Sequence, residues 1–181
     1  FSRDKRWIEV RCDALRREPR FILVNARSNW EKNTRMIEMV RKLPHPMIIY
    51  VAKPDEAEFL KEYLAKLGLH NVETFTGTTS SGKRRALIDA WVDDQFQIML
   101  ATSAFGVGVD KGDVRTVLHM YVPQNANAYY QELGRGGRDG LPCLSVMCIH
   151  NEDTDAAFQR ISKRVMTVEK MMGRWNSMFN N

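Results

Sequence analysis

The chain has 181 residues, 44% of them hydrophobic and 27% charged, enough for one good core and too few for two large ones. No apolar run nears the ~20 residues that cross a bilayer, and residues 1–20 are charged throughout, unlike a signal peptide, so no membrane partner is expected. Lys plus Arg outnumber Asp plus Glu by 27 to 22, a net +5 that favours polyanionic partners through counterion release without requiring one.

Three cysteines, Cys12, Cys143 and Cys148, have no CxxC spacing, which argues against a disulfide framework and against a zinc site. Buried, reduced thiols of an intracellular protein are expected instead. The first residue is Phe1 rather than Met, and a piece of a longer polypeptide is expected.

Residues 1–27 read as an N-terminal extension with one strand-like stretch, Phe21-Ile22-Leu23-Val24. Ser28-Asn29-Trp30-Glu31 has the form of a capping box, with Ser28 as N-cap and Glu31 reaching back. The helix that follows turns Ile37, Val40 and Leu43 inward, and Pro44-His45-Pro46 stops it. Residues 47–52 are a continuous apolar run of strand length, as a buried parallel strand requires.

Pro54, Asp55 and Glu56 suit the start of a second helix, which carries Ala57, Leu60, Leu64 and Leu67 at helical spacing and ends at Gly68. The alternation continues with a strand at 72–76, a helix at 84–93, a strand at 96–101, a strand at 116–122, a helix at 125–133 and a strand at 144–149. This pattern predicts an α/β domain over 28–152, with right-handed crossovers and a mostly parallel sheet between helical layers. Ligands of such sheets bind at the carboxyl ends of strands, which directs attention to the loops after Ala52, Thr76, Ala101 and Val122. Residues 153–181 form a helical tail. There Phe158, Ile161, Val165, Val168, Met172, Trp175 and Phe179 step by three and four, a stripe for packing on this domain or the next, interrupted by Gly173.

The strongest local signal is residues 131–140, Gln-Glu-Leu-Gly-Arg-Gly-Gly-Arg-Asp-Gly, directly after a predicted helix. Glycines allow close backbone approach, and the two guanidinium groups, Arg135 and Arg138, offer forked donors matched to phosphate oxygens. A merely solvated basic loop needs neither four glycines nor the preceding Gln131. Upstream, residues 101–111 follow a buried strand. Thr102 and Ser103 bring hydroxyls and amides that suit a phosphate, Gly106 and Gly108 let the loop fold tightly, and Asp110 adds an acid. A glycine-rich turn between strands is the plain alternative.

Residues 77–83 fit GxxxxGK between a strand and a helix, the context of a phosphate-binding P-loop. Arg84 stands where Ser or Thr would hold magnesium, and no later strand ends in the matching acid. A polar loop touching a nucleic-acid backbone through Gly77, Thr78 and Lys83 is the expected reading. His119, inside a strand, is expected to be a core histidine. Tyr129 and Tyr130 suit either base stacking or helix packing.

Residues 131–140 resemble motif VI of superfamily-two helicases in its RecQ form, and residues 101–111 resemble motif V. Ile48-Ile49-Tyr50-Val51 resembles the motif IV strand. The order and separation agree over roughly residues 30–149. Phe75-Thr76-Gly77 stands where the family usually carries His-Ala-Gly, so that histidine's role does not carry over. The resemblance implies a RecA-like second motor domain of a DNA helicase with 3′-to-5′ polarity. ATP and Mg2+ would be held mainly by a first RecA-like domain of the same polypeptide, since no DExH pair lies in this chain.

Arg138 would be the arginine finger, a device worth roughly 10³–10⁵ in rate. Arg135 would be a second phosphate or interdomain contact, with Gln131, Gly106, Gly108 and Asp110 on the nucleotide side. Thr102, Ser103, Lys53, Gly77, Thr78 and Lys83 would face single-stranded DNA or a duplex junction. The family often continues into a zinc module whose cysteines are not in this chain, so zinc in the whole protein stays open, and no metal site is expected here. Rival readings are an RNA helicase or double-strand translocase, a P-loop kinase relying on Lys83, and a degenerate nucleic-acid-binding scaffold. Lys83→Ala abolishes nucleotide binding only in the kinase reading.

Overall fold

In the computed structural model, residues 15–105, 110–164 and 168–179 are described. Six strands, β1 (Pro19–Asn25), β2 (Met47–Tyr50), β3 (Val72–Phe75), β4 (Ile98–Ala101), β5 (Thr116–His119) and β6 (Cys143–Ile149), form one sheet in the order β1-β6-β5-β2-β4-β3. Every pairing is parallel. The helices are α1 (Asn29–Lys42), α2 (Pro54–Lys66), α3 (Ser81–Val92), α4 (Ala126–Leu133), α5 (Asn151–Arg164) and α6 (Val168–Phe179). The expected alternation is present, with β2, β3 and β5 one to three residues shorter at their carboxyl ends.

Successive strand residues point to opposite faces, so both faces of this buried sheet must be apolar. Met47, Ile49, Leu118 and Val146 pack with Met36, Val40, Leu60 and Leu64 of α1 and α2. Ile48, Tyr50, Met99 and Val117 pack with Leu87 and Trp91 of α3 and with Phe105. Trp91 has no exposed surface, and its ring lies 5.2 Å from that of Phe96. Each fully buried large apolar side chain contributes about 1.5–3 kcal/mol, which makes these two layers the main stabilising term.

Local caps follow the residues. Ser28 Oγ accepts the Glu31 amide at 3.1 Å, while the Glu31 carboxylate accepts the Arg27 amide at 2.9 Å. The reach-back thus lands on Arg27, one residue before the N-cap. Arg27 and the neighbouring Arg35 hold the Glu31 carboxyl below the usual carboxylate range, the Arg27 amide contributing most.

The N-terminal strand is more than an approach to the domain. β1 pairs with β6 along its whole length, from Pro19 opposite Cys143 to Asn25 opposite Ile149. It forms one edge of the sheet and leaves Phe21 and Leu23 exposed. At the other end of the chain, Lys32 Nζ lies 2.8 Å from both carboxylate oxygens of Asp153 and fastens α5 to α1. Arg160 donates to Val122 O at 2.8 Å and lies over the Tyr121 ring. Five residues of the tail's apolar stripe, Phe158, Ile161, Val168, Met172 and Trp175, are exposed, while Val165 and the Phe179 side chain lie outside what the structure describes.

Cys143 and Cys148 are buried and free, and burial pushes the Cys148 thiol up to about 11. Cys12 lies outside the described residues. Among the described residues, no helix is long and apolar enough to cross a membrane, and no group of His, Cys, Asp or Glu converges on a metal position.

Candidate functional site

α4 starts where Asn125 Oδ1 accepts the Ala128 amide at 2.8 Å, and it ends at Gly134, where the arginine turn begins. α4 is a crossover helix between parallel strands, so it returns the chain to their amino ends. The turn is therefore anchored there, and not among the carboxyl-end loops where such sheets usually bind ligands. Gly137 N donates to Val114 O at 2.9 Å, Asp139 N to Gly112 O at 3.2 Å, and Cys143 N to Glu18 O at 3.0 Å. Gly137 has φ +60°, and a Cβ there would sit 2.6 Å from Leu141 O and 3.1 Å from Glu18 Cβ. This glycine is required by close packing under β1 as much as by any ligand.

Asp139 pairs with Arg115, which also donates to Pro142 O at 3.3 Å. The Arg115 hydrogen bond, helped by the Leu141 amide, holds the Asp139 carboxyl below its ordinary value. A carboxyl whose folded pKa is depressed contributes stability above its unfolded pKa and loses it as pH falls through the folded one. Melting temperature is thus expected to drop on acidification below about pH 4. Asp139→Asn should flatten that limb in a Tm–pH series, and an unchanged limb would remove Asp139 as its source.

The two arginines differ in what surrounds them. Arg135 is 8% exposed, and its guanidinium lies 5.4 Å from the Phe105 ring centroid. It also sits beside Tyr50, whose hydroxyl is pushed above its ordinary pKa by burial, with Arg135 opposing the shift. Arg138 is 36% exposed in its side chain and donates to Asp110 Oδ1 at 2.8 Å, where Asp110 is 85% exposed. Its Nε donates to Gly134 O at 3.1 Å. Ser103, Phe105, Tyr130, Gln131, Arg135 and Arg138 line a pocket of about 540 Å³.

An exposed pair such as Arg138–Asp110 is worth about 0–1 kcal/mol, so an anionic ligand competes for the guanidinium at little cost. Arg135, largely desolvated, instead fixes the crossover to the turn. Asp110 meets Arg138 and is exposed; Gly106 and Gly108 lie outside the described residues. Lys111, 6% exposed, pairs with Asp94 at 2.7 Å and Asp113 at 3.2 Å and rests on Trp91, pinning the end of the same crossover.

Sequence reasoning missed Glu132. It is 6% exposed, accepts from Tyr121 Oη at 2.8 Å, and lies 3.1 Å from His119 Nε2. His119 is fully buried, stacked on Tyr50 at 5.2 Å and edge-on to Tyr129 at 5.0 Å, which makes it a core histidine as expected. Burial, and then the Glu132 charge, raise the Tyr121 hydroxyl above its ordinary value. This network seats the last turn of α4 against the sheet, three residues before Arg135. The available signal was spacing: position 132 shares the inward face of α4 with Tyr129, which itself bonds Ser145 Oγ at 2.9 Å.

A second group gathers at the carboxyl ends of β2, β4 and β3, which are neighbours in the sheet. Lys53, Ser103, Gly77, Thr78 and Lys83 are exposed there, while Thr102 is 7% exposed and donates its amide to Phe75 O at 3.2 Å. Gly77 and Ala104 approach closely enough that a Cβ on Gly77 would lie 4.0 Å from that of Ala104. The P-loop-like segment is closed on itself. Arg84 donates to Thr79 O at 2.8 Å and Gly77 O at 3.0 Å, and the Thr76 amide donates to Thr79 Oγ1 at 3.0 Å. A phosphate cradle needs converging amides; this loop turns carbonyls toward a guanidinium instead.

The helicase conserved C-terminal domain family matches residues 31–140. The chain belongs to this family. Its relatives include RecQ-type helicases. The chain is 33% identical over 147 residues to the probable ATP-dependent DNA helicase RecS of Bacillus subtilis (strain 168), covering 81% of this chain and 30% of that protein. It is 39% identical over 121 residues to the RecQ-like DNA helicase BLM of Xenopus laevis, covering 64% of this chain and 9% of that one. The matched stretch is thus less than a third of either relative.

The helicase C-terminal fold recurs in the Escherichia coli DEAD-box protein SrmB, with TM-score 0.64 and 19% identity over 84% of this chain and 88% of that one. It recurs also in Saccharomyces cerevisiae Dbp5 bound to RNA and ADP BeF3, with TM-score 0.70 and 21% identity over 86% and 42%. At these identities the likeness concerns the parallel-sheet RecA-like fold.

Proposed function

We propose that this helicase C-terminal domain is the second motor lobe of an ATP-dependent, RecQ-type DNA helicase acting inside the cell. The observation that carries the reading is Arg138: a guanidinium 36% exposed in its side chain, paired with an exposed Asp110 and lining a pocket, on a turn anchored through Gly137 and Asp139. Its chemistry fits the phosphates of a nucleotide. It does not fit magnesium, because no acidic cluster faces it among the described residues. ATP with Mg2+ supplies the phosphoryl-transfer chemistry and is held mainly by a preceding lobe.

Arg138 leaves Asp110 and donates to the triphosphate, stabilising charge that builds during transfer. Gln131, exposed on the same pocket wall, takes the adjacent polar contact. Arg135 keeps the crossover and the turn moving as one body. At the carboxyl ends of β2, β4 and β3, Lys53, Ser103, Gly77, Thr78 and Lys83 contact the backbone of a single strand or a duplex junction. Closure on nucleotide and opening after hydrolysis would then move a strand gripped at this edge.

The test compares the intact protein with this chain alone. The intact protein is expected to hydrolyse ATP in a magnesium- and DNA-dependent way and to unwind DNA duplexes faster than RNA duplexes. The isolated chain is expected to have no measurable turnover. Substantial turnover by the chain alone would overturn the division between two lobes, and faster RNA unwinding would overturn the choice of DNA.

A further inference from the structure

The residue that holds the arginine turn from outside lies before β1, beyond every motif discussed above. Arg16 donates through one terminal nitrogen to Gly134 O at 3.0 Å and through the other to Gly137 O at 2.6 Å. Its Nε donates to the Glu18 carboxylate at 3.3 Å, which orients the fork. Its own amide donates to the Tyr130 hydroxyl at 3.4 Å. The side chains of Arg16 and Glu18 are each 26% exposed. The segment is itself fixed, because Glu18 O accepts the Cys143 amide at 3.0 Å.

Two carbonyls three residues apart define the two ends of one turn, and a planar fork bonds each with its own terminal nitrogen at a fixed spacing. One of them, Gly134 O, also accepts from Arg138 Nε at 3.1 Å. Arg16 and Arg138 therefore share a single oxygen at the carboxyl end of α4. Two cations are tolerated there because the helix dipole presents its negative end. Glu18 beside Arg16 and Asp110 beside Arg138 offset the remaining repulsion.

We propose that Arg16 is a positioning residue for Arg138: it clamps Gly134 and Gly137, fixes the carbonyl on which the Arg138 stem rests, and ties the turn to the segment entering β1. The inference rests on the role given to Arg138 above. It adds that the strand leading into the domain sets the aim of that side chain. A twist or pull on this segment, as a lobe attached to it would exert, moves the arginine directly. No signal has to cross the sheet.

The experiment uses the intact protein with Arg16→Ala, Arg16→Lys, Arg138→Ala and the Arg16→Ala/Arg138→Ala double variant. Arg16→Ala is expected to lower kcat for DNA-stimulated ATP hydrolysis about tenfold to a hundredfold, with KM for ATP within about twofold, since a misplaced group costs rate more than binding. Arg16→Lys keeps charge and stem but reaches one carbonyl, and should recover less than half of the loss on a logarithmic scale. The double variant should be no slower than Arg138→Ala alone. With Arg138→Ala slowed, an unchanged kcat in Arg16→Ala, or losses that multiply in the double variant, would overturn the positioning role of Arg16.

Hydrogen exchange reads the clamp independently of turnover. The Gly137 and Asp139 amides, bonded to Val114 O and Gly112 O, should exchange at least about tenfold faster in both Arg16 variants. Unchanged protection sinks the clamp even if turnover falls. Faster exchange together with an Arg138→Ala enzyme of full activity keeps the clamp and removes the helicase role of Arg138.

Discussion

Arg138→Ala in the intact protein is expected to lower the turnover number for ATP roughly 10³–10⁵-fold while nucleotide and DNA affinity change by no more than about threefold. The asymmetry follows from where the side chain sits. Its hold on Asp110 is a solvent-exposed pair 2.8 Å long, so deleting it leaves no buried charge behind and the domain stays folded. What is lost is a donor needed most when charge accumulates on the transferring phosphoryl group.

Arg138→Lys keeps the charge without the fork and should recover only a small part of the rate. Arg135→Ala will behave differently. It removes a cation from the face of Phe105, and it should lower the melting temperature as well as the rate. Single-turnover ATP hydrolysis beside a thermal melt separates the two arginines. An Arg138→Ala enzyme turning over at the wild-type rate would leave the chain a nucleic-acid-binding scaffold.

Glu132→Ala is expected to be the costliest single change for stability in this region, about 3 kcal/mol, because it strands two buried polar partners at once. Tyr121 Oη loses an acceptor at 2.8 Å and His119 Nε2 loses its partner at 3.1 Å. His119 Nδ1 already has no hydrogen-bond partner among the described residues, so the ring cannot compensate by changing tautomer. For a chain of this size about 3 kcal/mol corresponds to roughly 6–12 °C in Tm. Glu132→Gln keeps a carbonyl acceptor for Tyr121 and fills the same volume, and should cost less than the alanine variant. If the alanine variant melts within about 1 °C of wild type, the network does not carry the end of α4.

Much of this was legible in the residues alone. Parallel strands buried on both faces must be continuous apolar runs, so residues 47–52 announce themselves without any partner, and 96–101 do so from Ile98 onward, where β4 begins. Helix starts are equally local: Ser28 and Pro54 act within one turn of their own position, and both stand where expected. The arginine pair was visible because glycine spacing and guanidinium chemistry are properties of the chain itself.

Tertiary structure alone decided which arginine is solvated. Arg135 and Arg138 are three apart in the same turn, and what divides them is Tyr50 from β2 and Phe105 from the turn after β4. The same holds for Arg16 and Glu18, whose partners lie more than a hundred residues away, and for β1, whose place at the sheet edge is set by its register with β6. The end of the sheet on which the turn sits also waited for the fold, since it depends on α4 being a return helix. Local sequence fixes propensity, cap and charge. Burial and pairing are properties of distant contacts, and those contacts separate a solvent-exposed cation from one that holds the framework.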